Sequence, residues 1–549
     1  MTIYDELKTY TASDAYPFHM PGHKRRAAFL CDPAAIDLTE IDGFDNLHHA
    51  EGILKEAENR AAKLYGSEET HFLVNGSTAG VLSAIGACTR PGGLLLMARN
   101  SHRSAYHAAA LSRVRCVYLS PASTDLADRC GPVDPALIED TLEEWPETNA
   151  VFLTSPTYDG VVSDIRQIAA IAHRRGVPLI VDEAHGAHFG MHPIFPRSSV
   201  ELGADLVIHS LHKTLPSLTQ TALIHVNGTL VDRARLRRLL TVYQTSSPSY
   251  VLMASMDQCI TLLSKAGDAL FDAYAKRLEG FYQETKLVHY AFLRTDDPSR
   301  ILIHPAQRSC ATMPLPGGST QQAAGLREGQ QMDSGLRAGQ QMDSGLREHP
   351  SQDASAYPCS LNALQLYHTL RERFHLQPEM AAPSYVLMLS SVCDDEEGFS
   401  RLSGALRTLD QEWKPSAGPP LQDADDRRTP RPLQDTDGWR TPNPLQHTDG
   451  RRTPNPLQHT DDRQAEAAPY TIAEALDAPA GPVPFSASEG RISGEFLTLY
   501  PPGIPLVVPG ERIPVGLPGR ILALKHEGYS ITGPEDHSLQ SIRVLTPLS

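Results

Sequence analysis

The hydrophobic pattern alternates between helical and strand-like stretches over about residues 51–230. In DIRQIAAIAHRRGVPLIVDEAHG, apolar Ile165, Ile168 and Ala172 share a helical face, Gly176 marks the helix end, and PLIV predicts a buried strand. The same rhythm recurs in EGILKEAENRAAKLYG before HFLVNGSTAG, and in ADLVIHSLHKT. Helices that alternate with short apolar strands predict an α/β fold built on a mainly parallel sheet flanked by helices.

Two segments interrupt this pattern with short repeats. Residues 325–348 repeat GLREGQQMDS every ten residues, and residues 420–461 repeat PLQ(D/H)TDGRRTPN every twelve. Neither repeat has the apolar periodicity of a packed core, so both are predicted to be insertions or linkers. The predicted organisation is an N-terminal arm (1–50), a large domain (51–290), a small α+β domain (291–414) with a repeat insertion at about 316–356, a low-complexity linker (415–465) and a C-terminal domain (466–549).

Charge and cysteine usage narrow the class of protein. The formal net charge is −16 without a Lys/Arg-rich run, which argues against nucleic acid or an anionic membrane as partner and suits a small cationic substrate. The eight cysteines are scattered without CxxC pairs. No stretch approaches the roughly 20 apolar residues of a membrane span, and the N-terminus lacks a signal-like apolar region. A cytoplasmic protein with reduced thiols is predicted.

Lys213, in HSLHKT, is the strongest candidate for chemistry. It follows the apolar run DLVI, so it is expected at a strand end where burial favours a neutral, nucleophilic amine. Such a lysine can form a Schiff base with an aromatic, phosphate-bearing cofactor, and the flanking Ser210 and His212 are placed to reach the phosphate. Taken alone, a lysine at a strand end is more often a solvated charge.

Two further polar residues are predicted at the same edge of the sheet. Asp182 ends the run LIV, and a carboxylate there can keep a pyridinium nitrogen protonated, which makes the ring an electron sink. The commoner role of such an aspartate is to cap a helix. His102 follows GGLLLMA and is predicted to stack on the ring, although a polar loop histidine has the same pattern.

The segment NGSTAG is predicted to hold the phosphate. It lies between an apolar run and a helical stretch, so the backbone N–H groups and the hydroxyls of Ser77 and Thr78 meet at a helix N-terminus. An ordinary N-cap would look similar. Two other motifs do not predict a function. The string DEAH is typical of helicases, but the sequence has no GxxxxGK[ST] loop, so nucleotide hydrolysis is not predicted. The cluster of His185, His188 and His192 contains neither HExxH nor cysteine pairs, so a metal site is not predicted.

Together, PFHMPGHKR, TEIDGFDNLHHAEGILKEAE, NGSTAG, RNSHRS, SPTYDG, VDEAHGAH, HSLHKTLPSLTQ, QTSSPSY and YPPGIPLVVPGE closely resemble the ornithine/lysine/arginine decarboxylase family of fold-type I pyridoxal-phosphate enzymes. The likeness spans about residues 1–290, weakens through 291–410 and returns over about 485–515. The sequence resembles the short form of the family, which has no receiver-like N-terminal domain.

This resemblance implies a pyridoxal 5'-phosphate cofactor and a role for each matched residue. Lys213 carries the cofactor, Asp182 contacts the pyridine nitrogen, and His102 and Ala184 cover the two ring faces. The phosphate ligands are Ser77, Thr78, Ser210 and His212, with Ser246 reaching the phosphate of a partner subunit in a homodimer or larger homo-oligomer. Thr157 is implied to face the cofactor, Glu495 to wall the substrate pocket, and His185, His212 or Lys213 to return a proton to the α-carbon.

The function expected from the residues and the resemblance is decarboxylation of lysine, arginine or ornithine. The nearest alternative is another fold-type I reaction such as transamination, which typically uses an arginine to clamp the substrate carboxylate. Arg491, Arg512 and Arg520 lie among turn signals and are predicted to be surface charges. A non-catalytic regulatory relative is the other alternative, disfavoured by the presence of Lys213, Asp182 and His102 together.

Overall fold

The computed structural model describes residues 2–25, 33–122, 124, 129–305, 362–413, 465–500 and 503–546. The predicted repeat insertion and the predicted linker up to residue 464 lie outside these ranges. The chain begins with an arm that contains helix α1 (Ile3–Ala12) and strand β1 (Tyr16–Phe18). Among the helices that the structure describes, none has the length and apolar character needed to cross a membrane.

The large domain alternates helices and strands, as the sequence predicts. Its elements are α2 (Ile53–Tyr65), β2 (Glu69–Leu73), α3 (Gly76–Cys88), β3 (Leu94–Ala98), α4 (Arg103–Ser112), β4 (Arg115–Leu119), α5 (Pro135–Glu144), β5 (Thr148–Thr154), α6 (Ile165–Arg174), β6 (Leu179–Asp182), β7 (Leu206–His209), α7 (Leu211–Thr214), β8 (Ala222–Val226), α8 (Arg233–Tyr243) and α9 (Tyr250–Glu284).

The small domain forms a four-stranded antiparallel sheet in the order β12-β13-β10-β9. Its elements are β9 (Tyr290–Leu293), β10 (Arg300–Pro305), α10 (Ala363–Glu372), β11 (Leu376–Pro378), β12 (Met380–Ala381), β13 (Val386–Leu389) and α11 (Glu396–Glu412). Strand β11 pairs in parallel with β1, which ties the N-terminal arm to this domain. Buried Lys24 strengthens that connection, because its amine donates to the Leu389 carbonyl at 2.8 Å and lies 3.8 Å from the Asp394 carboxylate.

The C-terminal part of the chain mixes short strands and helices. It contains β14 (Ala465–Ala467), α12 (Ile472–Asp477), β15 (Ala480–Pro484), β16 (Leu497–Tyr500), β17 (Ile504–Val507), α13 (Leu517–His526), β18 (Ser530–Thr532) and β19 (Ser541–Leu545). Strand β14, which lies at the predicted start of the C-terminal domain, pairs antiparallel with β4 of the large domain. The large sheet therefore has eight strands, in the order β14-β4-β3-β5-β6-β7-β8-β2.

The central strands β4, β3, β5, β6 and β7 run parallel to one another, and every residue of β3, β6 and β7 is buried. Burial on both faces explains their continuous apolar runs. Helix α6 shows the matching helical pattern, since Ile165, Ile168 and Ala172 pack into the core on one face of the sheet. Because these strands are apolar along most of their length, their polar side chains emerge together at the carboxyl edge.

Candidate active site

Lys213 lies in the short helix α7, immediately after the carboxyl end of β7. Its amine is 2.9 Å from Nε2 of His185. Burial lowers the pKa of Lys213 to about 8, against the opposing attraction of the Asp182 carboxylate. Burial also holds the pKa of His185 well below its usual value. A neutral imidazole therefore faces an amine whose uncharged, nucleophilic form is accessible near neutral pH.

Asp182 ends β6, the strand next to β7, and its side chain lines the same cavity as Lys213. Its Oδ1 accepts a hydrogen bond from the backbone N–H of Ala184 at 3.1 Å. Burial raises the pKa of Asp182, and nearby Lys213 opposes that rise. A buried carboxylate without a salt-bridge partner in the described chain suits a cationic ring nitrogen, which would restore its preference for the ionised form.

His102 is the N-cap residue of α4, and Ala184 follows the end of β6; both line the cavity. The Nδ1 atom of His102 accepts from the Ser104 backbone N–H at 3.3 Å. Burial, followed by the positive charge of Lys213, lowers the pKa of His102 to about 3. The imidazole is therefore neutral over the physiological range.

The N-terminus of α3 offers a site for an anion. The N-cap residue Asn75 makes no side-chain capping bond, and Ser77 and Thr78 in the first turn line the cavity. Uncapped backbone N–H groups at a helix N-terminus bind phosphate through both hydrogen bonds and the helix dipole. The structure thus brings the predicted phosphate-binding residues to the edge of the sheet that carries Lys213.

Ser210 and His212 flank the lysine on the same short segment. The Oγ of Ser210 is buried and has no hydrogen-bond partner among the residues that the structure describes, an arrangement that calls for a further polar group. Nδ1 of His212 is 3.0 Å from the Thr221 carbonyl, so it donates and leaves Nε2 as the acceptor of the neutral ring. Burial lowers the pKa of His212 to about 4. The orphan hydroxyl and the uncapped helix together fit a phosphate-bearing cofactor.

The remaining predicted residues differ in their placement. Thr157 is buried and lines the cavity, with its hydroxyl 2.5 Å from the Asp159 carboxylate. Ser246 is exposed and does not line the cavity of its own chain, so its predicted contact with a partner subunit stays a prediction. Glu495 also lies outside the cavity; its carboxylate accepts from the backbone N–H groups of Glu535 and Arg543 at 2.7 Å each.

Three neighbours of the site were missed from the sequence. Tyr158 donates a short hydrogen bond to Glu379, and its ring lies 4.6 Å from that of His185. Glu379 also accepts from the Met20 backbone N–H at 3.0 Å. Fully buried Arg300 donates to the His185 carbonyl at 2.6 Å. Tyr158 stands beside Thr157 in SPTYDG, but Glu379 and Arg300 belong to the small domain and carry no local signal.

One prediction about arginines was wrong. Arg491 and Arg512 are exposed, as predicted, whereas Arg520 lies within α13 and lines the cavity. The turn signals around it misled the prediction, because Leu517, Arg520, Ile521 and Leu524 recur at helical spacing and share the helix face that meets the cavity.

The arm, the large domain, the small domain and the C-terminal domain all contribute to the wall of this cavity, which has a volume of about 370 Å³. The C-terminal domain reaches the candidate ring-stacking residue through the Gly503 carbonyl, which accepts from the Arg103 N–H at 3.3 Å, next to His102. Within the described ranges, no group of three or more His, Cys, Asp or Glu side chains is arranged to hold a metal ion.

Comparison with known proteins agrees with this geometry. The model of the Orn/Lys/Arg decarboxylase major domain matches residues 2–306, and that of the family's C-terminal domain matches residues 458–517. The uncharacterized protein YaaO of Bacillus subtilis is 41% identical over 263 residues, which cover 46% of this chain and 55% of YaaO. Arginine decarboxylase of the same organism is 26% identical over 562 residues, which cover 99% of this chain and 97% of the relative.

A solved structure shares the whole architecture. The lysine decarboxylase LdcF of Francisella novicida has a TM-score of 0.67 at 18% identity, over 98% of this chain and 80% of that one. The mainly parallel sheet flanked by helices is the fold of the fold-type I pyridoxal-phosphate-dependent enzymes, and Lys213, Asp182 and the α3 N-terminus lie at its carboxyl edge. Within that class, the chain belongs to the Orn/Lys/Arg decarboxylase family and is an amino-acid decarboxylase.

Proposed function

We propose that this enzyme removes the α-carboxylate of a basic L-amino acid, either lysine, arginine or ornithine, and releases the amine and carbon dioxide. The observation that carries the proposal is the buried Lys213, with a lowered pKa and a neutral His185 at 2.9 Å, in a cavity shared with Asp182. Relatives named arginine decarboxylase and lysine decarboxylase support the substrate class. We further propose a role in polyamine synthesis in the cytoplasm.

Each part of pyridoxal 5'-phosphate has residues suited to hold it. Lys213 would bind its aldehyde carbon as a Schiff base, Asp182 its ring nitrogen, and His102 and Ala184 its two faces. Its phosphate would lie on the α3 N-terminus against a set of four side chains: Ser77, Thr78, Ser210 and His212. When bound, the cofactor supplies an electron sink for the pair released from the broken Cα–carboxylate bond.

The protein's own groups perform the proton transfer and the orientation. His185 holds the Lys213 amine at Nε2, so either group is placed to deliver a proton to the α-carbon once carbon dioxide has left. Arg300 fixes the backbone of His185 and so its ring position. The C-terminal domain contributes apolar side chains to the cavity wall, among them Leu506 and Leu517, and an apolar surrounding favours loss of a charged carboxylate as a neutral gas.

A basic side chain fits the charge of the site. Of the carboxylates that line the cavity, Asp159 is paired with Arg129, whereas Glu379 has only neutral hydrogen-bond donors as partners among the described residues and can also accept a cationic side chain. The chain carries a net charge of −16. We further propose a homodimer in which exposed Ser246, located between α8 and α9, contacts the phosphate held by the partner subunit.

The test is to measure carbon dioxide and amine production by the purified, cofactor-loaded enzyme with each of the three amino acids. One of them is expected to yield both products in equal amounts, and Lys213→Ala to yield neither. Formation of a 2-oxo acid without carbon dioxide would indicate transamination instead. A protein that binds the cofactor and converts none of the three would be a non-catalytic relative, which contradicts the proposal.

A further inference from the structure

Some of the charged side chains that line the cavity have partners within the chain, and others do not. Two of its three carboxylates already have partners in the chain: Asp159 lies 3.0 Å from Arg129 Nε, and Glu379 accepts from Tyr158 and from a backbone N–H. The third is the buried Asp182, the residue suited to the cofactor's ring nitrogen. Lys213 is the cation committed to the cofactor.

Arg520 is the remaining cation of the wall, and no carboxylate of the described residues forms an ion pair with it. Its guanidinium makes no hydrogen bond or ion pair with any residue that the structure describes, although the side chain is half-buried. The residues beside it on the cavity-facing side of α13 are apolar: Leu517, Ile521 and Leu524. Burial lowers the pKa of Arg520, and no neighbouring carboxylate opposes that shift.

A partly desolvated guanidinium among leucine and isoleucine side chains is unfavourable unless an anion joins it. The planar fork of an arginine matches a carboxylate with two parallel hydrogen bonds, which adds direction as well as affinity. Transamination typically uses the same kind of contact, so Arg520 does not separate the two reactions, and the assay for a 2-oxo acid described above does. The cofactor phosphate has its own site at the α3 N-terminus with Ser210 and His212. A basic amino acid brings one other anion into the cavity, its α-carboxylate.

We infer that Arg520 is a specificity-determining residue that binds the α-carboxylate of the incoming amino acid and so distinguishes substrate from product. The inference rests on the proposed function for the identity of the two ligands. Decarboxylation removes the group that Arg520 recognises, and the product amine has only positive charge to present to it. Arg520 therefore favours substrate entry and product release in the same catalytic cycle.

The test compares Arg520→Gln with the wild type and with Arg491→Gln, an exposed arginine of the same domain that does not line the cavity. The KM for the amino acid should rise roughly 10- to 100-fold in Arg520→Gln, as expected for a lost charge-assisted hydrogen bond. The kcat should stay unchanged or rise, because a contact to a carboxylate that leaves as neutral carbon dioxide stabilises the ground state at least as much as the transition state. Inhibition by the product amine should stay unchanged or become tighter, and Arg491→Gln should match the wild type.

A second measurement does not depend on turnover. In a Lys213→Ala background with cofactor present, calorimetry should give a lower Kd for the amino acid than for its amine, and Arg520→Gln should remove that difference. Arg520→Lys, which keeps the charge but not the fork, should retain part of it. Because binding is read directly, an enzyme that releases no carbon dioxide would overturn the proposed function and leave this assignment standing.

Three results would overturn the assignment. One is equal affinity of the Arg520-containing protein for both members of every amino acid and amine pair. Another is an equal loss of affinity for both members in Arg520→Gln, which would point to general damage to the cavity. The third is weaker binding of pyridoxal 5'-phosphate itself in Arg520→Gln, which would assign Arg520 to the cofactor.

Discussion

At Lys213, burial and the position of His185 set the chemistry of a single amine. The pKa of about 8 means that half of the amine is neutral at that pH, whereas an exposed lysine with a pKa near 10.5 would be almost fully charged. The His185 imidazole is held neutral by its own burial and so does not add a second positive charge at 2.9 Å.

This pKa predicts how fast the cofactor-free enzyme captures pyridoxal 5'-phosphate. The neutral amine is the reacting form, so the capture rate should rise with pH up to about 8 and then level off. Stopped-flow absorbance of the lysine-bound cofactor measures the rate, and Lys213→Ala should show no such band. A rate that keeps rising to about pH 10 would mean that Lys213 behaves as an exposed lysine.

The position of Asp182 predicts that its substitution lowers the rate of the chemical step. Asp182→Asn removes the charge that keeps the ring nitrogen protonated, so kcat should fall by about 10²- to 10³-fold, the usual scale for one preorganised electrostatic partner. Asp164→Ala is the matched control, because Asp164 is a true N-cap that accepts from the Gln167 N–H. It should cost about 0.5–2 kcal/mol of stability and leave kcat unchanged. Equal effects of the two changes on kcat would refute the electronic role of Asp182.

At the residue scale, the sequence was informative wherever a side chain immediately follows a strand. Lys213, Asp182 and His102 were predicted to share one edge because parallel strands end together, and all three line one cavity. Glu379 and Arg520 were not predictable in the same way. They reach the cavity because separate domains dock on the large one, and docking leaves no periodic signal in the local sequence.

Four neighbouring strands are connected by a buried chain of hydrogen bonds. Glu183, next to Asp182 after β6, accepts from Nε2 of His209 at 2.8 Å. His209 Nδ1 is 3.1 Å from Nε2 of His225 on β8, and His225 Nδ1 is 2.8 Å from the Thr70 hydroxyl on β2. Because His209 donates to a carboxylate oxygen at one end, each ring nitrogen along the chain has a defined role as donor or acceptor. This chain holds the segment that carries Asp182 and His185.

His209→Leu should therefore lower the free energy of unfolding by about 1–3 kcal/mol, since it removes one buried hydrogen-bond partner from Glu183 and one from His225. Urea-induced unfolding measures the change. His173→Leu provides the control, because the His173–Asp205 contact of 2.7 Å involves a histidine side chain that is 39% exposed. Its loss should cost no more than about 1 kcal/mol. If both variants lose the same amount, the buried chain adds nothing beyond a single pair with a partly exposed histidine.

At the scale of the whole molecule, the N-terminal arm packs directly on the segment that carries Lys213. The Gly22 N–H donates to the His212 carbonyl at 2.7 Å, and the Ser391 hydroxyl of the small domain donates to the Gly22 carbonyl at 2.6 Å. A Cβ atom at position 22 would lie 2.8 Å from backbone atoms of both Thr214 and Leu215. The glycine is thus required where three parts of the chain meet.

Gly22→Ala should lower stability by about 1–3 kcal/mol and speed loss of the cofactor, because backbone atoms near Lys213 must move. Gly280→Ala, within α9, is the matched control: no atom lies within 4 Å of its added Cβ, and alanine should stabilise the helix by about 0.5–1 kcal/mol. Thermal unfolding and the dissociation rate of the cofactor give both quantities. Unchanged cofactor retention in Gly22→Ala would show that the arm does not support the lysine segment.

The whole-molecule arrangement was only partly predictable. Alternating helices and apolar runs gave the mainly parallel sheet and its ligand-binding edge. They did not predict that β14, on the far side of the repeat-rich segment, completes that sheet, because a three-residue edge strand has too few positions for periodicity. Nor did they predict that α13 turns Arg520 toward the site.

The central claim is that Lys213 carries the cofactor of this decarboxylase. It is tested most directly by reducing the cofactor-loaded enzyme with borohydride, which converts a Schiff base into a stable secondary amine, and then mapping the modified peptide by mass spectrometry. A single phosphopyridoxyl group on Lys213, in amounts that match the loss of carbon dioxide release, is the predicted result. A group on another lysine, or full loss of activity without modification of Lys213, would contradict the account.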